Sequence, residues 1–162
     1  MKLLWRECEL QGISMSHIIR KTIPNAILQM FDAYRANDAV LLGEAFEPHA
    51  LLVAYVEPRL LKLIGVSEPR KPVRLRGNLE ITKFLAQEFA AMQIIHTEIH
   101  SEMRVGHGLS IICDYEAKFL ATGQTVSARS SGIYTLSQSG RKVETCRAVC
   151  SFITPGWGHF FN

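Results

Sequence analysis

From Ile94 to Ile153 the hydrophobic pattern has a period of two, carried by Ile94–Val105, Ser110–Leu120, Gln124–Ser137 and Val143–Ile153. Successive side chains of a strand point to opposite faces, so four such runs in succession predict an antiparallel meander. Glycines fill the gaps, in Gly106-His107-Gly108, Thr122-Gly123 and Ser139-Gly140-Arg141, where a hairpin needs positive φ. Within the second run Ile111, Cys113, Tyr115, Ala117 and Phe119 alternate with Ile112, Asp114, Glu116 and Lys118, giving one apolar and one mostly polar face.

Before Gln93 the pattern is helical. Ile27, Met30, Phe31 and Tyr34 form an amphipathic stripe over Pro24–Asn37, with Thr22 as cap and Pro24 in the first turn. Asp38 caps a second helix carrying Leu42, Ala45 and Phe46, which Pro48 ends. Ala50–Val56 reads as one buried strand. Gly77 then breaks the chain and Asn78 caps a third helix with Ile81, Phe84, Leu85, Phe89 and Met92 on one side. Helices at one end and strands at the other predict an α+β fold, with three N-terminal helices packed into a strongly curved, mainly antiparallel sheet. The floor of such a cone is the default place for a small-molecule pocket.

At 162 residues and 48% apolar content the chain has room for one globular core and no second full domain. A formal charge of +3 falls short of the basic stripe of a dedicated nucleic-acid binder. Residues 57–76 concentrate Arg59, Lys62, Arg70, Lys71, Arg74 and Arg76 among three prolines. They read as a stiffened basic loop with a short helix at Arg59–Ile64, either a solvated excursion or a rim that attracts an anionic ligand. No aromatic residue interleaves these charges, which argues against nucleic acid as a partner. Charges in Met1–Leu10 and the lack of any run of about 18 apolar residues predict a cytoplasmic protein with no membrane partner. Residues 1–22 read as an N-terminal extension, with Met15 an alternative start, 23–153 as the domain and 154–162 as a tail.

Cys8, Cys113, Cys146 and Cys150 form no C-x-x-C pair and read as small buried apolar groups. Cys146 and Cys150 share one strand face about 13 Å apart, too far for a disulfide. The same spacing excludes His96 and His100 as a metal pair. No phosphate loop, dinucleotide fingerprint or zinc spacing occurs, so neither cofactor nor metal is expected.

The order of elements, the Arg76-Gly77 approach to a helix bearing Ile81, Phe84 and Leu85, and His96 opening the next strand resemble the SnoaL-like branch of the NTF2-like superfamily over about residues 22–153. Within it the pattern is most similar to scytalone dehydratase and its relatives. That resemblance implies a cone-shaped protein, dimeric through the outer sheet face, acting without a cofactor on a small apolar or aromatic-ring compound, an anionic one included. It implies Tyr34, in the Asp32–Asp38 stretch, and Tyr55, ending the first strand, as pocket tyrosines. It implies His96 as catalytic base, and Trp157, in the segment 154–160, as part of a closing tail.

Departures accompany the likeness. Arg35 stands where the resemblance implies an acid that orients the histidine, Leu120 where it implies a second histidine, and Gly132 where it implies a pocket asparagine. An arginine cannot accept the imidazole N–H. The general-base aspartate of the ketosteroid isomerases, of the same superfamily, falls at Ala54.

Proton removal beside a carbonyl needs a base and hydrogen-bond donors, roles open to His96 and to the hydroxyls of Tyr34 and Tyr55. Asp114 is the carboxylate nearest in sequence pattern to orient His96. Phe89, Tyr115 and Arg147 complete the candidate ligand contacts, Arg147 only if it points inward, where it needs an anion. Counting by two puts His96 with Glu98, His100 and Glu102 on the polar face, and Thr97, Ile99, Met103 and Val105 on the apolar one. Only a bulge near residues 96–97 turns His96 inward. Two readings stay open: a cofactor-free lyase or isomerase, and a non-catalytic ligand-binding or dimerisation module.

Overall fold

A computed structural model of the chain describes residues 23–63 and 72–153. In chain order these form α1 (Asn25–Arg35), α2 (Ala39–Glu44), β1 (Phe46–Val56), α3 (Pro58–Leu63), β2 (Val73–Arg76), α4 (Asn78–Ala91), β3 (Met92–Val105), β4 (Gly108–Phe119), β5 (Thr125–Leu136) and β6 (Val143–Phe152). The fold is α+β. Among the described residues four helical segments, not three, precede the meander, and a second short strand, β2, lies within the segment expected to be a basic loop. Residues 64–71 of that segment, the tail with Trp157, and Thr22 lie outside the described residues.

The six strands form one sheet in the order β2-β1-β6-β5-β4-β3. The meander β3 to β6 is antiparallel throughout, as the period predicts. β1 joins it by parallel pairing to β6, with Leu52 opposite Cys146 and Ala54 opposite Ala148, and β2 pairs antiparallel to β1. β1 begins at Phe46, not Ala50, and Pro48 falls inside it, at a break in the β1–β6 register between Phe46 and Leu51. Proline cannot donate to a ladder, and the break is where its missing N–H does least harm.

Asp38 caps α2 as expected, its carboxylate accepting from the N–H groups of Val40 and Leu41. Asn78 does not cap α4. Gly77 takes the cap position at φ 79°, and the Glu80 side chain accepts from the N–H of Arg76. A side chain at Gly77 would put its Cβ 2.7 Å from the Pro48 carbonyl oxygen, so glycine is required both by its backbone angle and by that approach.

The core forms where α1, α2 and α4 lie against the sheet. Ile27 and Ile81 are fully buried there and meet Phe46, Ile111 and Val143 from the strands. Each such side chain contributes about 1.5–3 kcal/mol on burial. A second cluster gathers Met92, Ile94, Ala117 and Phe119 where β3 and β4 pair, and Tyr34 and Phe89 pack against both. No described helix is long and apolar enough to cross a membrane.

Candidate functional site

Between the helices and the inner sheet face lies a cavity of about 150 Å³ with an overwhelmingly apolar wall. Strand alternation decides which residues reach it. β1 contributes Leu52, Ala54 and Val56, and β6 contributes Cys146, Ala148 and Cys150, each every second residue. Helix α1 adds Met30, Phe31 and Tyr34, and α4 adds Leu85 and Glu88.

Glu88 and Thr97 are the buried polar residues among those described. The Tyr34 hydroxyl donates to Glu88 Oε1 at 2.6 Å. Burial pushes the Glu88 carboxyl from 4.5 to about 7, and the Tyr34 hydrogen bond opposes that rise. The wall therefore presents a carboxyl close to half-ionised at neutral pH, the condition under which one group can both take and return a proton. Burial and the neighbouring Glu88 drive the Tyr34 phenol well above its usual range, so it stays protonated.

Around this pair the rings of Phe89 and Tyr115 stand 5.5 and 6.0 Å from that of Tyr34. The Tyr115 hydroxyl meets Cys150 Sγ, and the Tyr134 hydroxyl faces the Cys146 thiol as a hydrogen-bond partner. Burial pushes the thiols of Cys113, Cys146 and Cys150 up to about 12, so all three behave as neutral wall. Gly132, the departure from the implied asparagine, accommodates Tyr134: a Cβ there would lie 2.9 Å from the tyrosine ring.

The arrangement brings together Tyr34 and Tyr115 of the candidates, with Phe89 packed behind Tyr34. His96, Tyr55, Asp114 and Arg147 lie elsewhere. A bulge does interrupt β3, between Ile94, opposite Ala117, and His96, opposite Glu116. It does not turn His96 inward: Ile94 and Thr97 are both buried, and Ile95 and His96 are both exposed. Tyr55 is 56% exposed because its neighbours Ala54 and Val56 take the inner face. Arg147 is exposed for the same reason, between Cys146 and Ala148.

Asp114 also lies on the outer face. It accepts from Arg129 Nε at 2.7 Å and sits 2.8 Å from His100 Nε2, which holds its carboxyl below the usual range, chiefly through the Arg129 hydrogen bond. It has no part in orienting His96. Met103 and Val105, expected on the apolar face, are exposed.

Glu88 is the residue the sequence reading missed. It stands seven residues after Ile81 and three after Leu85, the other two buried residues of α4, so helical spacing puts all three on one face. A carboxylate on the apolar stripe was the available signal. Among the described residues no three His, Cys, Asp or Glu side chains gather as a metal ion would need.

No family model and no curated protein matches the sequence. Solved structures do. A hypothetical protein with a ketosteroid isomerase-like fold from Catenulispora acidiphila, in complex with trimethylamine, matches with a TM-score of 0.61 at 13% identity, over 78% of this chain and 85% of that one. This is a ketosteroid isomerase-like fold. TerC, co-crystallised with polyporic acid, matches at 0.58 and 17% identity, over 78% and 88% of the two chains. SalBIII, an epoxide hydrolase/cyclase-like enzyme with a role in pyran ring formation in the polyether salinomycin, matches at 0.58 and 13%, over 78% and 88%. At such identities the ketosteroid isomerase-like fold is shared and the chemistry must be argued from the site.

Proposed function

We propose that this chain binds a compound of one small ring in the cavity and moves a proton on it, Glu88 acting as base and then as acid, without a cofactor. The reaction class is isomerisation or elimination beside a carbonyl. The observation that carries the reading is a buried carboxyl, the one such group among the described residues, brought to about 7 by its surroundings in a mainly apolar cavity. A void of about 150 Å³ holds roughly one six-membered ring.

Dehydration by His96, as the likeness to scytalone dehydratase implies, receives no support from an exposed imidazole. The rival reading, a binder without chemistry, is favoured by the Tyr34 bond that already occupies one Glu88 oxygen. The same proposal takes the outer sheet face, where Tyr55, Ile133 and Val149 are exposed, as the surface of a homodimer, and places the protein in the cytoplasm.

Cyclohexanone in deuterated buffer separates the two readings without knowledge of the natural substrate. A base in the cavity exchanges its α-protons for deuterium above the buffer rate, by NMR, and Glu88→Gln abolishes the exchange while cyclohexanone still binds. Binding with no exchange establishes the rival reading.

A further inference from the structure

Thr97 is one of two buried polar residues among those described and lines the cavity. Its Oγ1 accepts from Arg35 Nε at 3.0 Å. The guanidinium supplies the hydrogen of that bond, so the threonine keeps its own proton to donate. Arginine remains charged at any working pH and cannot accept that proton back. A hydroxyl whose oxygen accepts from a cation becomes the stronger donor, because hydrogen bonds in a chain polarise one another.

The position is defined from two sides. Thr97 lies directly opposite Tyr115 in the β3–β4 register, and Tyr34 stacks edge-on against Tyr115 at 6.0 Å. Tyr34 in turn carries Glu88. The carboxyl and the threonine hydroxyl thus line one cavity, and Arg35 follows Tyr34 directly on α1.

We propose that Thr97 donates a hydrogen bond to the carbonyl oxygen of the bound ring, with Arg35 as the positioning residue that orients and polarises its hydroxyl. The inference rests on the reading of the cavity as a ring-binding site with Glu88 as its base. When Glu88 removes the α-proton, the C–H electron pair moves into the ring and onto the carbonyl oxygen, and the enolate so formed is held by the Thr97 O–H. Return of the proton from Glu88 to carbon restores the carboxylate. Thr97 keeps its proton throughout. A site built this way discriminates a ketone from a hydrocarbon of the same shape.

Chemical-shift titration with cyclohexanone and with methylcyclohexane tests it. The expected result is that Thr97→Val weakens cyclohexanone about tenfold and leaves methylcyclohexane unchanged. Thr97→Ser retains the preference for the ketone. Arg35→Met loses a smaller part of it and slows deuterium exchange at saturating cyclohexanone. Equal weakening of both probes by Thr97→Val, or no change in either, overturns the role of Thr97 while leaving the ring-binding cavity intact. If neither probe shifts the unsubstituted protein, the cavity reading fails and this inference with it.

Discussion

Glu88 and Tyr34 are 54 residues apart in the chain and 2.6 Å apart in space, joined across the gap between α4 and α1. The bond ties the chemistry of the site to the packing of two helices, so perturbations of either partner are readable both as stability and as acid–base behaviour.

The carboxyl makes stability pH-dependent with a definite sign. Its pKa is higher folded, about 7, than the ordinary 4.5, so between those values the folded state binds more protons than the unfolded one. Stability therefore falls as pH rises through this window. At about 1.4 kcal/mol per pH unit the contribution at pH well above 7 is a loss of about 3 kcal/mol relative to pH below 4.5. Urea denaturation from pH 4.5 to 8 is expected to show this decline, and Glu88→Gln to flatten it.

Tyr34→Phe removes the donor that holds the Glu88 carboxyl down. The midpoint of the pH–exchange profile should move upward, and stability should fall by about 1–2 kcal/mol. An unchanged midpoint would separate the hydroxyl from the site.

His96→Ala should leave both stability, within about 0.5 kcal/mol, and deuterium exchange as they are, since the imidazole is exposed on the outer face. Loss of exchange in this variant would restore the histidine to the mechanism and remove Glu88 from it.

Two glycines of positive φ should respond differently to alanine. At Gly77 the new Cβ meets the Pro48 carbonyl as well as a backbone angle of 79°, whereas at Gly106, φ 58°, nothing lies within 4 Å. Gly106→Ala should cost about 1 kcal/mol, from backbone strain alone. Gly77→Ala should cost more than that, by thermal or urea unfolding, and should disturb the start of α4.

The meander was legible because a period of two recurs in four runs over nearly sixty residues, and the hairpin glycines mark its turns. β2 was not, because four residues between Pro72 and Gly77, two of them arginines, carry too little pattern to stand out from a loop. The parallel pairing of β1 with β6 joins segments about ninety residues apart, a relation no local spacing encodes. At the site, periodicity put Tyr34 and Tyr115 on the apolar faces of their helix and strand, and it was the resemblance that implied Tyr34 as a pocket tyrosine. Thr97 was assigned to the correct face, but its hydroxyl drew no attention beside a neighbouring histidine. The Ile94-Ile95 pair hid the bulge, since either isoleucine could have been the buried one. Glu88 was passed over because the stripe was counted in apolar residues only.

β3 is the last strand of the described sheet, fourteen residues long, with its far side unpaired among the described residues. Its register is broken twice, between Ile94 and His96 and between Ile99 and Ser101, and Glu98, His100 and Arg104 stand exposed along it. An uninterrupted border of that length would invite another chain to add to it. The irregularities that bring Thr97 to the cavity also spoil the straight template such addition requires, so the strand that furnishes the proposed donor is at the same time a poor seed for aggregation.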